Sequence, residues 1–292
     1  MVRIEEIEKE EVRPPTMNGK QWMNGKQWMD GKQWMKEILT NKIERDELKP
    51  GDHVYSWRLA YSYAHHGIFV GDGKIIHFTR AAGQETGTGT ALDNLFVSSS
   101  PANSSGIPCE ICGDQSMLQG VLKSCIDCFL AGGNLHLFQY SVSTALFIAQ
   151  ARGGTCTLAH SDPSVEVLHR ANYLKENGFG AYCIFKNNCE DFAIYCKTGL
   201  LVNTKVSVGL SGQLSSFLAV TSTVISTPLR MLTTSFGGLT VMASGVYCFN
   251  RYLSDIGIRR DVTKVAVETM VERMVEKRDV NKPAEMATPT TI

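Results

Sequence analysis

The period of apolar and polar positions changes several times along the chain. After the Pro50-Gly51 turn, Val54–Trp57 form a β-rich run, followed by HHGIFVG (65–71) and KIIHFT (74–79). Asp72-Gly73 between the last two is a hairpin signal, because glycine takes positive φ without penalty. The pattern predicts an antiparallel β-meander over residues 52–79. Residues 81–107, rich in Gly, Thr, Ser and Asn, read as a long mobile loop. Residues 114–130 read as partly helical, NLHLFQY (134–140) as a strand, and a short helix from about residue 144 stops at Gly153-Gly154.

Helical spacing is clearer in residues 163–177. Val167, Leu168, Ala171 and Leu174 line one face, Asp162 is placed to cap, Pro163 tolerates a first-turn position and Gly178 ends the run. A second helix is expected over Cys189–Thr198, with Asn188 as N-cap, acidic residues in its first turn and Gly199 after it. Residues 206–229 and 231–250 hold no charge, with Arg230 between them. From Asp261 to about Arg278 an amphipathic helix is predicted from Val262, Val265, Met270, Met274 and Val275.

Length and composition add limits. The 292 residues, 43% hydrophobic, suffice for a sizeable core. With 29 basic and 29 acidic residues there is no basic excess, so no nucleic-acid partner is expected. Residues 17–34 repeat one hexapeptide three times (MNGKQW, MNGKQW, MDGKQW). We read residues 1–47 as a flexible arm, with Trp22, Trp28 and Trp34 as an alternative docking segment. The charged start MVRIEEIEKEEVRPP has no apolar signal core, and the nine cysteines are odd in number. An intracellular, cytoplasmic and reducing compartment is therefore expected. Cysteines there are read as thiolate chemistry or metal ligands before disulfides.

Cys189 stands at a predicted helix start, where unpaired N–H groups lower a thiol pKa, although Glu190 and Asp191 oppose this. Of seven histidines, His65 and His77 lie on either side of the Asp72-Gly73 turn with matching parity. Their side chains are expected on one sheet face, almost opposite each other, and His66 on the other face. A thiol, an imidazole and a group orienting that imidazole are the parts of covalent acyl transfer.

HHGIFVGDGKIIHF and NNCEDFAIYCKTGLL resemble the two motif blocks of the lecithin:retinol acyltransferase-like (LRAT) domain, closest to the plant type called "NC domain" proteins. GDHVYSWR resembles that type's first strand, and the likeness covers about residues 48–200. It implies an α+β, papain-like fold in circularly permuted order, with Cys189 as nucleophile, His65 as base and His77 as its support. The family's chemistry is acyl transfer from a phospholipid ester through a thioester. Where animal relatives often carry a histidine two residues after the cysteine, Asp191 stands here. The Cys189 backbone N–H is placed to stabilise an oxyanion. The same triad also suits a cysteine peptidase or amidase, and the scaffold also suits a non-enzymatic binding module.

Cys109-x-x-Cys112 and Cys125-x-x-Cys128, within an insertion over 81–130, have the spacing of a tetrahedral zinc site. This structural zinc and the N-terminal repeat are the expected surfaces for a protein partner. Cys156, Cys183, Cys196 and Cys248 have no ligand-like spacing and are assigned to packing. Residues 201–292 read as a hydrophobic and helical extension. A phospholipid substrate makes a membrane surface the expected partner, with contact through residues 206–250 and headgroups at Arg251, Arg259 and Arg260.

Overall fold

The computed structural model describes residues 41–58, 63–79, 108–115, 118–150, 152–180, 182, 187–202 and 236–280. All lie in the unit Glu37–Ile292, one of two into which the chain divides. The hexapeptide arm, the loop at 81–107, Cys183 and residues 203–235 lie outside the described residues.

The expected hairpin forms around Asp72 (φ 50°) and Gly73 (φ 63°), the pair of left-handed residues that a two-residue turn between twisted strands requires. It joins β2 (Tyr63–Gly71) to β3 (Lys74–Thr79). With β1 (His53–Arg58), β4 (Gly120–Cys125) and β5 (His136–Leu137) these make an antiparallel sheet in the order β4-β3-β2-β1-β5. The helices are α1 (Ile126–Leu130), α2 (Thr144–Ala149), α3 (Ser164–Asn177), α4 (Cys189–Thr198), α5 (Phe236–Ser254) and α6 (Val267–Val280). The fold is α+β.

Each sheet face has its own core. On one, Val54, Phe69 and Ile75 pack against Ile126, Phe129 and Leu130 of α1. On the other, Tyr55, Ala64, Ile68, Ile76 and Phe78 pack against Val167, Ala171 and Leu174 of α3 and Phe192, Ala193 and Tyr195 of α4. Burial of each large apolar side chain contributes about 1.5–3 kcal/mol.

Three elements differ from the sequence reading. Residues 120–125 are a strand, with Val121 and Cys125 buried and Lys123 exposed, and only 126–130 are helical. Pairing with β3 decides this, because it satisfies the backbone of both strands. Pro163 rather than Asp162 holds the cap position of α3, while Asp162 pairs with Arg170 (2.7 Å) and Lys264 (2.5 Å). The start of the predicted C-terminal helix is β7 (Val262–Lys264), which pairs with β6 (Leu200–Val202) before α6 begins. Val267, Met270 and Val271 then enter the α3/α4 core.

No described helix is long and apolar enough to cross a membrane. Arg251, expected at a headgroup surface, is instead buried. It lies over the Phe147 ring and donates to the carbonyls of Phe147 (2.6 Å) and Gln150 (2.7 Å), fastening α5 to the end of α2.

Gly67 marks a close approach between the sheet and α1. A Cβ there would meet Ile75 Cγ2 at 2.6 Å, and the Ile76 carbonyl oxygen and Phe129 Cε2 at 3.0 Å. Gly67→Ala is expected to destabilise the protein by about 1–3 kcal/mol, read as a lower urea midpoint at unchanged slope. An unchanged midpoint would show that Phe129 gives way freely.

Candidate active site and thiol cluster

His65 and His77 are brought together, but not as directly opposed residues. A register shift between Phe69 and Gly71 pairs His77 with Gly67, so His65 lies on the diagonal. Diagonal neighbours on one face are within reach of long side chains, and His65 Nε2 and His77 Nδ1 are 2.9 Å apart. The line continues across β3, where His77 Nε2 is 2.8 Å from Ser124 Oγ on β4. Ser124 Oγ donates to Gln115 Oε1 at 2.6 Å. Phe129 covers both rings, at 5.2 Å from His65 and 5.6 Å from His77.

Burial is the leading cause of the histidines' electrostatics. It holds His65 well below the usual imidazole range, with the neighbouring His77 and the Arg58 charge acting in the same direction. His77 is lowered to about 3 by burial and then Arg58. Both rings are therefore neutral bases at neutral pH. His65 Nδ1 is buried and has no hydrogen-bond partner.

Cys189 begins α4, whose bounds match the sequence expectation. Asn188 Oδ1 accepts from the amides of Glu190 (2.9 Å) and Asp191 (3.1 Å), and Asp191 Oδ2 accepts from the Asn188 amide (3.0 Å). This reciprocal cap uses the amides after Cys189 and not its own. It also accounts for the Asp191 carboxyl as a capping group. α4 packs on the sheet face opposite His65, and its first residue reaches β2 at the backbone, where the thiol donates to the Ala64 carbonyl at 3.8 Å. The thiol is thus next to the residue preceding His65 and is not hydrogen-bonded to the imidazole. Burial pushes Cys189 up to about 12, and the Glu190 and Asp191 charges add to this. Hydrogen bonds to the sulfur from the His66 backbone amide and the Tyr182 hydroxyl oppose it.

His66 lies on the other sheet face and is fully buried. Its Nδ1 is 2.9 Å from His53 Nε2, and His53 Nδ1 is 2.8 Å from Tyr140 Oη. Neither ring touches His77 or Ser124.

Sequence reasoning did not find Arg58, Gln115, Ser124 or Tyr182. Arg58 is buried and donates to the carbonyls of Leu130 (2.5 Å) and Phe129 at the end of α1, and to Ser56 Oγ (3.1 Å). It supplies positive charge beside both histidines and Cys189. The run Val121–Cys125 does not alternate apolar with polar positions, so no local pattern marked the strand that carries Ser124. Gln115 and Tyr182 carry no local signal either.

Cys109, Cys112, Cys125 and Cys128 converge, with all four sulfurs within 4.8 Å of one another. The Gly113 amide donates to the Cys109 carbonyl (2.8 Å), closing a tight turn, with Gly113 itself at φ 68°. The Cys125 amide donates to Cys112 Sγ at 3.0 Å and the Cys128 amide to Cys125 Sγ at 3.4 Å. Among the described residues this is the one group of three or more Cys, His, Asp or Glu side chains placed to hold a metal. The eight described cysteines are free thiols. Cys156 and Cys196 are buried, in keeping with packing, and Cys248 is half-buried.

The family model described as Lecithin retinol acyltransferase matches residues 46–202. The Arabidopsis thaliana protein named Protein LEAD-SENSITIVE 1 is 55% identical over 238 residues, covering 81% of this chain and 91% of that relative.

Proposed function

This chain belongs to the lecithin retinol acyltransferase family, and from that premise we propose that it is a thiol acyltransferase or phospholipase A-type acyl hydrolase acting on phospholipid esters. In this reading the fold is papain-like with the histidines preceding the cysteine, and α4 is the catalytic helix. The observation that carries the proposal is the His65–His77–Ser124 line. It leaves one buried imidazole nitrogen, His65 Nδ1, without a partner beside the strand position that the Cys189 thiol contacts.

Reaction requires the thiol to leave the Ala64 carbonyl for His65 Nδ1, which takes its proton. The sulfur then attacks the ester carbonyl carbon. As the carbon–oxygen bond to the lysophospholipid breaks, His65 returns the proton to the departing oxygen, and the acyl group is held as a Cys189 thioester. Water, or an acceptor amine or hydroxyl, gives its proton to His65, attacks the thioester carbonyl and restores the thiol. His77 holds the His65 ring through this cycle. Arg58, the His66 amide and the Tyr182 hydroxyl favour the thiolate against its burial.

A membrane surface supplies the substrate. Val241 (73% exposed), Phe249 (61%) and Leu253 (49%) form an exposed apolar row on α5, suited to lie against a lipid interface. The free cysteines fit a reducing compartment.

The test is incubation of the full chain with acyl-labelled phosphatidylcholine vesicles, followed by intact mass. A single acyl adduct is expected on the wild-type protein and none on Cys189→Ser. Turnover of acyl amides with no lipid-derived adduct would replace this reading with an amidase. An inert Cys189 in folded protein would exclude both.

A further inference from the structure

The two segments that carry the cysteine pairs also carry the outer end of the histidine line. Gln115 lies three residues after Cys112, and Ser124 immediately precedes Cys125. Four sulfurs about 2.3 Å from a tetrahedral zinc ion are about 3.8 Å apart. The Cys109 and Cys125 sulfurs are 3.8 Å apart, far beyond the ~2.05 Å of a disulfide. Amides of Ile111 and Cys112 directed at the Cys109 sulfur, and that of Cys125 at Cys112, are the donors that stabilise metal-bound thiolates in a knuckle turn.

The polarity of the hydrogen-bond line follows from Gln115. Its Nε2 donates to the Lys123 carbonyl (3.2 Å), which fixes Oε1 as the atom facing Ser124. Ser124 has one hydroxyl proton and donates it to that oxygen, so it accepts from His77 Nε2. His77 Nδ1 is then the unprotonated nitrogen and accepts from His65 Nε2. His65 Nδ1 is left with a lone pair, which is the state a base for the thiol requires.

We propose that Cys109, Cys112, Cys125 and Cys128 bind one zinc ion, and that this ion, by clamping the Gln115 segment to β4, sets the tautomers of His77 and His65. Gln115 is a positioning residue, acting through Ser124. The metal and the tautomers stand without the acyl chemistry; the effect on turnover rests on the proposed reaction.

Three measurements on the full chain test this. Protein purified under reducing conditions carries one equivalent of zinc, and cobalt(II) in its place gives the thiolate charge-transfer and tetrahedral ligand-field bands of a four-sulfur site. Less than about half an equivalent, or an octahedral cobalt spectrum, overturns the site. Long-range 1H–15N spectra of the histidine rings show His77 and His65 protonated at Nε2. Chelation, or Gln115→Met, which lacks the acceptor, mixes these tautomers, and Gln115→Glu, which keeps it, restores them. Rings protonated at Nδ1 in the zinc-loaded protein, or unchanged on both chelation and Gln115→Met, overturn the coupling. Gln115→Met is expected to lower the rate of Cys189 acylation about tenfold at unchanged KM, with recovery in Gln115→Glu. A zinc site with ordered tautomers in a protein that forms no acyl adduct keeps this proposal and sinks the reaction.

Discussion

Cys189→Ala is expected to leave a folded protein whose acyl-transfer rate falls on the order of a thousandfold or more, and His65→Ala is expected to fall nearly as far. The double variant should be no slower than the worse single one, because in the proposed reaction the nucleophile and its base act as one unit. Losses that instead multiply would mean that the two side chains act independently. His77→Ala should cost less, since in the proposed reaction it supports His65 without meeting the substrate. A second readout follows from the thiol's burial. Since Cys189 is pushed up to about 12, it is a neutral thiol at neutral pH. Its alkylation by a small uncharged reagent should be slow there and climb steadily from about pH 8 to 10. A rate already at plateau near neutrality would show a preformed thiolate–imidazolium pair, which the buried neutral His65 argues against.

Mild acid should unfold the protein. Four histidines, His53, His65, His66 and His77, are held below the usual range, chiefly by burial, with His66 and His77 at about 3. In the unfolded chain each titrates near 6.5. Above about pH 6.5 both states are neutral and the full stability is present. Below it, the unfolded chain takes up protons that the folded one refuses, so stability falls by up to about 1.4 kcal/mol per pH unit for each histidine. For His66 and His77 the loss continues down to about pH 3. Asp191 and Asp255, raised by burial, act in the opposite sense and offset part of it. The histidines outnumber these carboxyls, and domain stabilities are only about 5–15 kcal/mol. A fall in Tm should therefore begin below pH 6.5 and become steep near pH 5. His53→Gln removes one titrating group away from the reactive face and should flatten the slope. A Tm unchanged from pH 7 to 5 would mean that the rings are not buried as neutral bases.

Local chemistry made much of the frame legible. Asp72-Gly73 identified the hairpin, and Asn188 and Gly199 bracketed α4 at both ends. Side-chain parity placed His65 and His77 on one face, but the turn alone does not: continuing from Gly71 opposite Lys74 would set Ile68 opposite His77 and His65 on the other face. The register was not legible. The shift between Phe69 and Gly71 has no sequence mark of its own, and it is what sets Gly67 opposite His77 and brings His65 onto the same face, on the diagonal. Long-range partners were also hidden. Nothing near residue 124 announces that β4 lies beside β3, so Ser124 and Gln115 could not be joined to His77. Arg58, which no local feature singled out, and Arg251, read as a headgroup contact, show the same limit: both are buried on helix-end carbonyls that lie far away in sequence.

The pairing of β6 with β7 has a consequence for biogenesis. Leu201 and Val202 directly follow α4, yet their partner strand arrives some sixty residues later, together with the α6 side chains that complete the α3/α4 core. Tyr195 on α4 likewise donates to the Val265 carbonyl at 2.9 Å. A nascent chain that has emerged only as far as residue 202 holds every residue of the family match but lacks the partner strand of β6 and part of the α3/α4 core. The apolar faces of α3 and α4 should therefore pass through synthesis open to chaperones, and a fragment cut at that boundary should aggregate rather than fold.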